Sequence, residues 1–326
     1  MRSTRLPSWI ERILGIDPVP APPHVFTLDG DPVQLRYGSF HRGAQGYVFE
    51  ESRAQELLPD TLGEGPMGAP LQEPKVFADD VLRLVNSIEA NLTEATLVLP
   101  DEWLRLIFIE LQELPKKSND RLDVLRLNLK PLVPIRIEDL RLSATVVDPF
   151  PGQEGAVRML VGFALDRLLD QIEDAFAEAG VVIGRVTNTS LALLESLKHN
   201  LDSDDMAVLL TVLPRAYTVT YMLDGQPVLY RYKPLGEAER FDRTGVNRDL
   251  RLTANFMAQH FPDRPPRRFF LAAGADVEAQ WLEWTHDLLD IAPEPLSFDH
   301  FLLTRTQVGP TWIETAPLLG AASLEV

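Results

Sequence analysis

The sequence predicts an α/β fold in two halves, and three features carry that reading. Apolar strand runs alternate with amphipathic helical runs along most of the chain. The stretch from 157 to 197 reads strand, helix, strand, helix. Each half also opens with strands hinged on an Asp-Gly turn, Asp29-Gly30 in the first and Asp224-Gly225 in the second. With 326 residues, 45% of them apolar, the chain has material for one large domain or two packed halves.

The elements follow in order. Pro7–Gly15 places Trp9, Ile10, Ile13 and Leu14 on one helical face, and Pro18, Pro20, Pro22 and Pro23 make a stiff linker after it, so 1–23 forms a separate N-terminal segment. Two readings of that helix remain: a docking or membrane-surface anchor with Arg2, Arg5 and Arg12 as its basic side, or a helix packed on its own domain. Val25 onward reads as a strand, the Asp29-Gly30-Asp31-Pro32 turn, and a second strand through Val33, Leu35 and Tyr37, with a third near Tyr47–Phe49. Seven Pro and Gly residues make 59–75 a loop. A helix over Val76–Asn91 precedes the buried strand Ala95–Leu99, and a helix at about Asn119–Leu132 precedes the strand Leu140–Val147.

Val157–Ala164 is a strand, Asp166–Ala179 a helix stopped by Gly180, Val181–Val186 the returning strand, and Thr189 the cap of a further helix. That order implies parallel strands covered by helices. After the acidic linker Asp202-Ser203-Asp204-Asp205, the second half reads as strands at Ala207–Leu213, Thr218–Leu223 and Val228–Tyr232, a helix at Arg248–His260, and a strand at Phe269–Ala273. Helices at Val277–Leu289 and near Ala316–Leu324 finish the chain. No short repeat period is visible, so this is a weak duplication and not a solenoid.

Composition excludes several function classes. A net charge of −17 offers no broad basic surface for phosphates, so nucleic-acid binding is disfavoured and a basic partner is the easier electrostatic match. The absence of cysteine removes disulfides, cysteine-ligated metals and thiol nucleophiles, and fits a reduced compartment. Charge interrupts the N-terminal apolar run, and no later run approaches the ~20 residues of a spanning helix. The sequons at Asn91 and Asn188 carry no meaning without export.

Rival motifs dissolve on inspection. Gly63-Glu64-Gly65-Pro66-Met67-Gly68 matches a dinucleotide fingerprint in letters, but Pro66, Pro70 and Pro74 forbid the strand before and the helix after. The six histidines have no metal-ligand spacing, and His286-Asp287 and Asp299-His300 read as surface pairs. No nucleophile elbow is present, and no carboxylate pair stands out in so acidic a chain. Arg264-Pro265-Pro266-Arg267-Arg268 reads as a solvated loop before a buried strand. No catalytic residue and no metal site are nominated.

Three segments carry a family resemblance. They are Leu97-Val98-Leu99-Pro100, Leu111-Gln112-Glu113-Leu114-Pro115 and the run from Leu132 to Leu142, joined by the block Leu160–Ala164, Ala175–Gly180 and Ser190–Leu194. The first three are similar to the small insertion subdomain of the type IV pilus assembly protein PilM family, and the block resembles the strand, helix and strand that close the first half of that fold. The resemblance covers roughly 24–326. It implies a two-lobed actin-like (ribonuclease H-like) fold, with a first lobe over 24–201 including an insertion at about 100–150, and a reduced second lobe over 202–326. It further implies a cytoplasmic scaffold, peripheral at the inner membrane, whose first lobe receives a peptide of a PilN-like inner-membrane protein near Leu111, Leu114, Pro115, Leu132, Pro134 and Ile135. Homo-oligomerisation stays open.

Actin-like ATPases hold phosphates between two hairpins, and the resemblance places those hairpins here. At the first, Asp31 and Pro32 follow Asp29-Gly30 where hydroxyls are expected, adding negative charge and removing an N–H donor. At the second, Leu210–Thr218 has neither Asp nor Gly, and Leu213 and Pro214 occupy the turn. Asn188 stands where the family places an acid. The adenosine-side turn survives as Ala272-Ala273-Gly274-Ala275, but the chain from Tyr232 to Phe269 is short for a base-clamping subdomain and leaves a loop at Pro234–Asn247 and one helix. Asp29, Gly30, Thr211 and Gly274 are thus vestigial positions, no cofactor is expected, and ATP hydrolysis is expected to be lost. Two alternatives stand beside this: an active actin-like ATPase, and the cytoplasmic domain of a GspL-like type II secretion protein.

Overall fold

The computed structural model describes residues 23–29, 33–43, 46–58, 61, 69–115, 118–151, 153, 155–197, 206–213, 215–236, 242–296 and 312–323. The N-terminal helix expected over 7–15, Gly30 and the glycine motif at 63–68 lie outside these residues.

Alternation in Val25–Tyr37 builds β1 (His24–Asp29) and β2 (Gln34–Gly43), which pair antiparallel, and β3 (Gly46–Glu56) pairs onto β2. Pro74 opens α1 (Pro74–Asn86), which buries Phe77, Val81 and Leu84 along one stripe. Next come β4 (Glu94–Leu99), β5 (Arg105–Leu111), α2 (Ser118–Leu129), β6 (Leu140–Val147) and β7 (Val157–Leu165). α3 (Asp166–Glu178) ends at Gly180, whose φ of +82° lets Val181 N–H return to the Phe176 carbonyl at 2.9 Å. β8 (Val182–Asn188) and α4 (Thr189–Leu197) close the first half.

The second half runs β9 (Met206–Leu213), β10 (Ala216–Leu223), β11 (Gln226–Pro234), α5 (Arg243–His260), β12 (Pro266–Ala272), α6 (Glu278–Thr285), β13 (Glu294–Pro295) and α7 (Trp312–Ala322). Asp224 and Gly225 both take positive φ, 53° and 70°, the primed turn that matches strand twist.

The two large sheets share one plan. The first is ordered β3-β2-β1-β4-β8 and the second β11-β10-β9-β12-β13. In each, three consecutive strands pair antiparallel, a fourth adds in parallel to the first of the three, and a fifth adds in parallel to the fourth. The inner faces sandwich α4 and α7, with Val25, Val98, Leu209 and Phe270 packed on Leu193, Leu194, Leu318 and Leu319. Each fully buried Leu or Phe there contributes about 1.5–3 kcal/mol. Gly320 lets the two helices touch, since a Cβ at that position would overlap the Ala192 carbonyl. The outer face of the first sheet is covered by α1 and α3, and that of the second by α5 and α6. A third sheet, β5-β7-β6, forms its own cluster with α2 through Leu125, Leu129, Ile109, Leu140 and Phe163.

Several sequence expectations need correcting. β7 does not join β8 in a parallel sheet. It is the central, antiparallel strand of the small sheet, because β5 and β6 both lie within reach and alternate to match it. The small sheet therefore draws a strand from beyond residue 150. Residues 190–194 lie in helix α4, not in a strand. The cap of that helix is Asn188, whose Oδ1 accepts from Leu191 N–H at 3.0 Å, and Thr189 is already helical. α5 begins at Arg243, five residues early, because Asp242 accepts from Thr244 N–H at 3.1 Å. Asp29-Gly30 and Asp224-Gly225 are not equivalent: the first links strands one and two of its sheet, the second links strands two and three. Among the described residues no helix is long and apolar enough to cross a membrane.

Candidate functional site

The two lobes meet where β4 and β8 end and α4 begins. Parallel strands β4 and β8 finish side by side, Leu99 opposite Asn188, which sets Asp101 of the following turn beside the N-terminus of α4. Asp101 is fully buried. Its Oδ1 accepts from Asn188 Nδ2 at 2.8 Å and from Tyr230 Oη at 2.7 Å, and its Oδ2 accepts from Ser190 N–H at 3.1 Å. Tyr230 belongs to β11, so one carboxylate ties both lobes together. Burial pushes this carboxyl up to about 6, against the pull of the Tyr230 and Ser190 hydrogen bonds. Beside it the Ser190 and Thr218 hydroxyls meet at 2.8 Å, again across the lobes.

A helix N-terminus with free N–H groups favours an anion. At α4 that anion is the protein's own: Asp101 occupies Ser190 N–H while Asn188 occupies Leu191 N–H. Thr211 stands in register with Thr218 and is buried. Asp29 ends β1, the strand that corresponds to β9, and Gly274 follows β12, its carbonyl accepting from Val277 and Glu278 N–H at 3.0 and 2.9 Å to start α6. The hairpin tips differ in size. Asp29 pairs Gln34, leaving four tip residues, whereas Leu213 pairs Ala216, leaving two. Two intervening residues are too few to wrap a phosphate.

The small sheet leans on the second lobe through buried cations. Arg158, 2% exposed, donates from Nη2 to the Val228 carbonyl and lies 3.8 Å and 4.1 Å from the ring centres of Phe150 and Phe108. Burial pulls its guanidinium down to about 10. Arg105 lies 4.4 Å from the Tyr232 ring centre. On the opposite edge β6 pairs only with β7 among the described residues. Arg141 of β6 clamps it to α3, bonding Asp166 at 2.7 Å, Asp170 at 2.7 Å and Glu173 at 2.6 Å.

The expected peptide residues sit on this small sheet. Leu111 is buried at the end of β5, and Leu114 and Ile135 are half-buried on the same cluster. Pro115 is half-buried, Pro134 exposed, and Leu132 is 55% exposed. Sequence reasoning missed two neighbours on α2, Leu122 and Leu127, the latter 71% exposed. Their signal was present: leucines on every side of α2 exceed what one buried stripe needs. Arg264 pairs with Asp224 at 3.5 Å and Arg268 with Glu294 at 2.8 Å. Among the described residues no cluster of His, Asp and Glu suits a metal ion.

Comparison with solved structures finds this architecture in a chain of the PilM-PilN type IV pilus biogenesis complex, with a TM-score of 0.70 at 17% identity, covering 94% of this chain and 97% of that one. The cytoplasmic domain of EpsL, an inner membrane component of the type II secretion system of Vibrio cholerae, gives 0.47 at 10% identity, covering 91% and 93%. A Bacteroides thetaiotaomicron protein with an actin-like ATPase fold gives 0.48 at 10% identity, covering 92% and 96%. No family model and no curated protein matches the sequence. The chain has the two-lobed actin-like fold that it shares with the protein of the PilM-PilN complex.

Proposed function

We propose that this protein is a PilM-like cytoplasmic scaffold of a type IV pilus or related envelope machine, peripheral at the inner membrane, that docks a short peptide of a PilN-like membrane protein and does not hydrolyse ATP. The observation that carries the docking reading is the likeness, over nearly the whole of both chains, to a protein solved in a PilM-PilN complex. The small sheet supports it. An extended peptide can add to the edge of β6, with Leu142, Ala144 and Val146 half-buried on the cluster behind it. Leu122, Leu127, Leu132 and Pro134 supply exposed apolar surface on the same subdomain. Asp170, Asp174 and Glu178 along α3 favour a peptide carrying Lys or Arg.

Loss of hydrolysis rests on the junction between the lobes. The place of a bound anion is filled by Asp101, Asn188 replaces an acid, and the second hairpin tip has two residues. Asp101, the buried carboxylate at this junction, already accepts three protein donors and is poorly placed to hold a nucleophilic water or a magnesium ion as well.

The test is a fluorescence titration of the N-terminal peptide of a candidate membrane partner against the full chain. Saturable binding is expected, weakened tenfold or more by Leu132→Asp. A peptide that is not retained at low salt and high protein concentration would overturn the docking reading.

A further inference from the structure

The second lobe carries a surface of opposite sign on its outer helix, α5. Its eighteen residues hold three arginines and a single acid, Asp249, in a chain of net charge −17. At 100° per residue Arg243, Asn247, Arg251 and Asn255 form one row, and Thr244, Arg248 and Leu252 form the adjacent one. Both rows border one open groove, and no carboxylate lines it among the described residues. Asp249 lies off these rows and pairs with Lys233 at 3.0 Å. Leu252 is 58% exposed. The arginines' own contacts lie at the surface: Arg243 meets Glu283 at 3.2 Å with both side chains about half exposed or more, Arg248 reaches Asp249 only at 3.8 Å, and Arg251 donates to the Asp287 carbonyl at 3.2 Å, with the exposed Asp287 carboxylate near Arg243 and Arg251.

The groove continues past Asn255, which borders both depressions, into a second one of about 240 Å³ lined by Tyr221, Phe261, Leu288 and Leu289, with Arg264 and Asp290 also on its wall. A cationic stretch thus runs along one helix into a hollow whose wall is largely apolar. We propose that this groove docks an acidic peptide bearing a bulky apolar residue, its carboxylates on Arg243, Arg248 and Arg251 and its apolar side chain in the hollow beyond Asn255. Guanidinium forks suit carboxylates geometrically, and the apolar hollow selects a side chain over a bare polyanion. Three arginines fall short of the six to ten phosphate contacts that typify nucleic-acid binding, and the surrounding negative charge repels an extended polyanion. This surface lies on the other lobe from the small-sheet site, so the protein bridges a basic and an acidic partner.

The experiment uses the full chain and a fluorescein-labelled dodecapeptide of Asp and Glu with one central Phe. Saturable binding is expected, reduced tenfold or more by the double variant Arg248→Glu, Arg251→Glu and several-fold when the peptide's Phe is replaced by Ser. Arg248→Lys with Arg251→Lys keeps the charge and loses the fork, and should give an intermediate loss that confirms a folded protein. Leu132→Asp should leave this binding unchanged while weakening the small-sheet peptide, which separates the two sites. No binding, binding insensitive to the arginine reversals, or binding of duplex DNA or phosphatidylserine vesicles in preference to the peptide would each overturn the proposal.

Discussion

The two lobes are built to one plan and finished differently. Both sheets read 3-2-1-4-5 in spatial order, and both bury their inner faces on α4 and α7. What differs lies at the tips, the inserts and the outer helices. The first hairpin has a four-residue tip and the second a two-residue tip. The first lobe inserts a three-stranded sheet between β4 and β8, where the second passes from β12 to β13 through one short helix. Over the first sheet α3 turns Asp170, Asp174 and Glu178 outward, and over the second α5 turns Arg243, Arg248 and Arg251 outward. Buried faces hold the duplicated architecture, while exposed faces are free to diverge into two surfaces of opposite charge.

The comparison is most sharply broken at the residue that joins the lobes. Asp101→Ala leaves Tyr230 Oη and Ser190 N–H buried without this acceptor and Asn188 Nδ2 with the Leu104 carbonyl alone, so urea unfolding should show a loss of about 3–5 kcal/mol. Separation of one transition into two would show that this contact couples the lobes.

The same carboxyl gives the lobes a pH dependence. Its folded value of about 6 exceeds the ordinary 3.8, so between these values the folded state holds the proton more tightly. The contribution is fully present below about pH 4 and lost as pH rises through 6, on the order of 3 kcal/mol in all. Stability curves of the wild type and of Asp101→Asn, measured from pH 4 to 7, should differ in slope over that window; parallel curves would refute the assignment.

Arg141→Met tests the first lobe alone. It removes the cation held by three carboxylates of α3 and should cost about 1–3 kcal/mol, with hydrogen exchange rising in β6 and α3 and not in β9–β12. Leu132→Asp should change stability by less than about 0.5 kcal/mol, because the side chain is exposed, while weakening peptide binding tenfold.

Much of the plan was legible from local chemistry. Alternation in Val25–Tyr37, the Asp224-Gly225 turn and the Gly180 stop each act within a few residues, and each element appears where its signal lies. The joining site was not legible. Asp101 is one of 48 acids and its partners lie 87, 89 and 129 positions away, so no local pattern marks it. The sheet membership of β7 was hidden for a related reason. A strand-helix-strand order predicts a parallel pair only when no better antiparallel partners stand nearby, and here β5 and β6 do. The excess of leucines on α2 shows that some must stay exposed, but which of them pack and which, like Leu122 and Leu127, do not is set by partners distant in sequence.

We propose that Asp101 and Asn188 cap the N-terminus of α4 with the protein's own groups and that the chain works as a nucleotide-free scaffold. Calorimetric titration of the full chain with Mg-ATP to millimolar concentration tests it most directly. The account predicts no saturable heat and no thermal shift. Saturable binding that is lost on altering Asp101 or Thr211 would contradict it and place a nucleotide between the two hairpins.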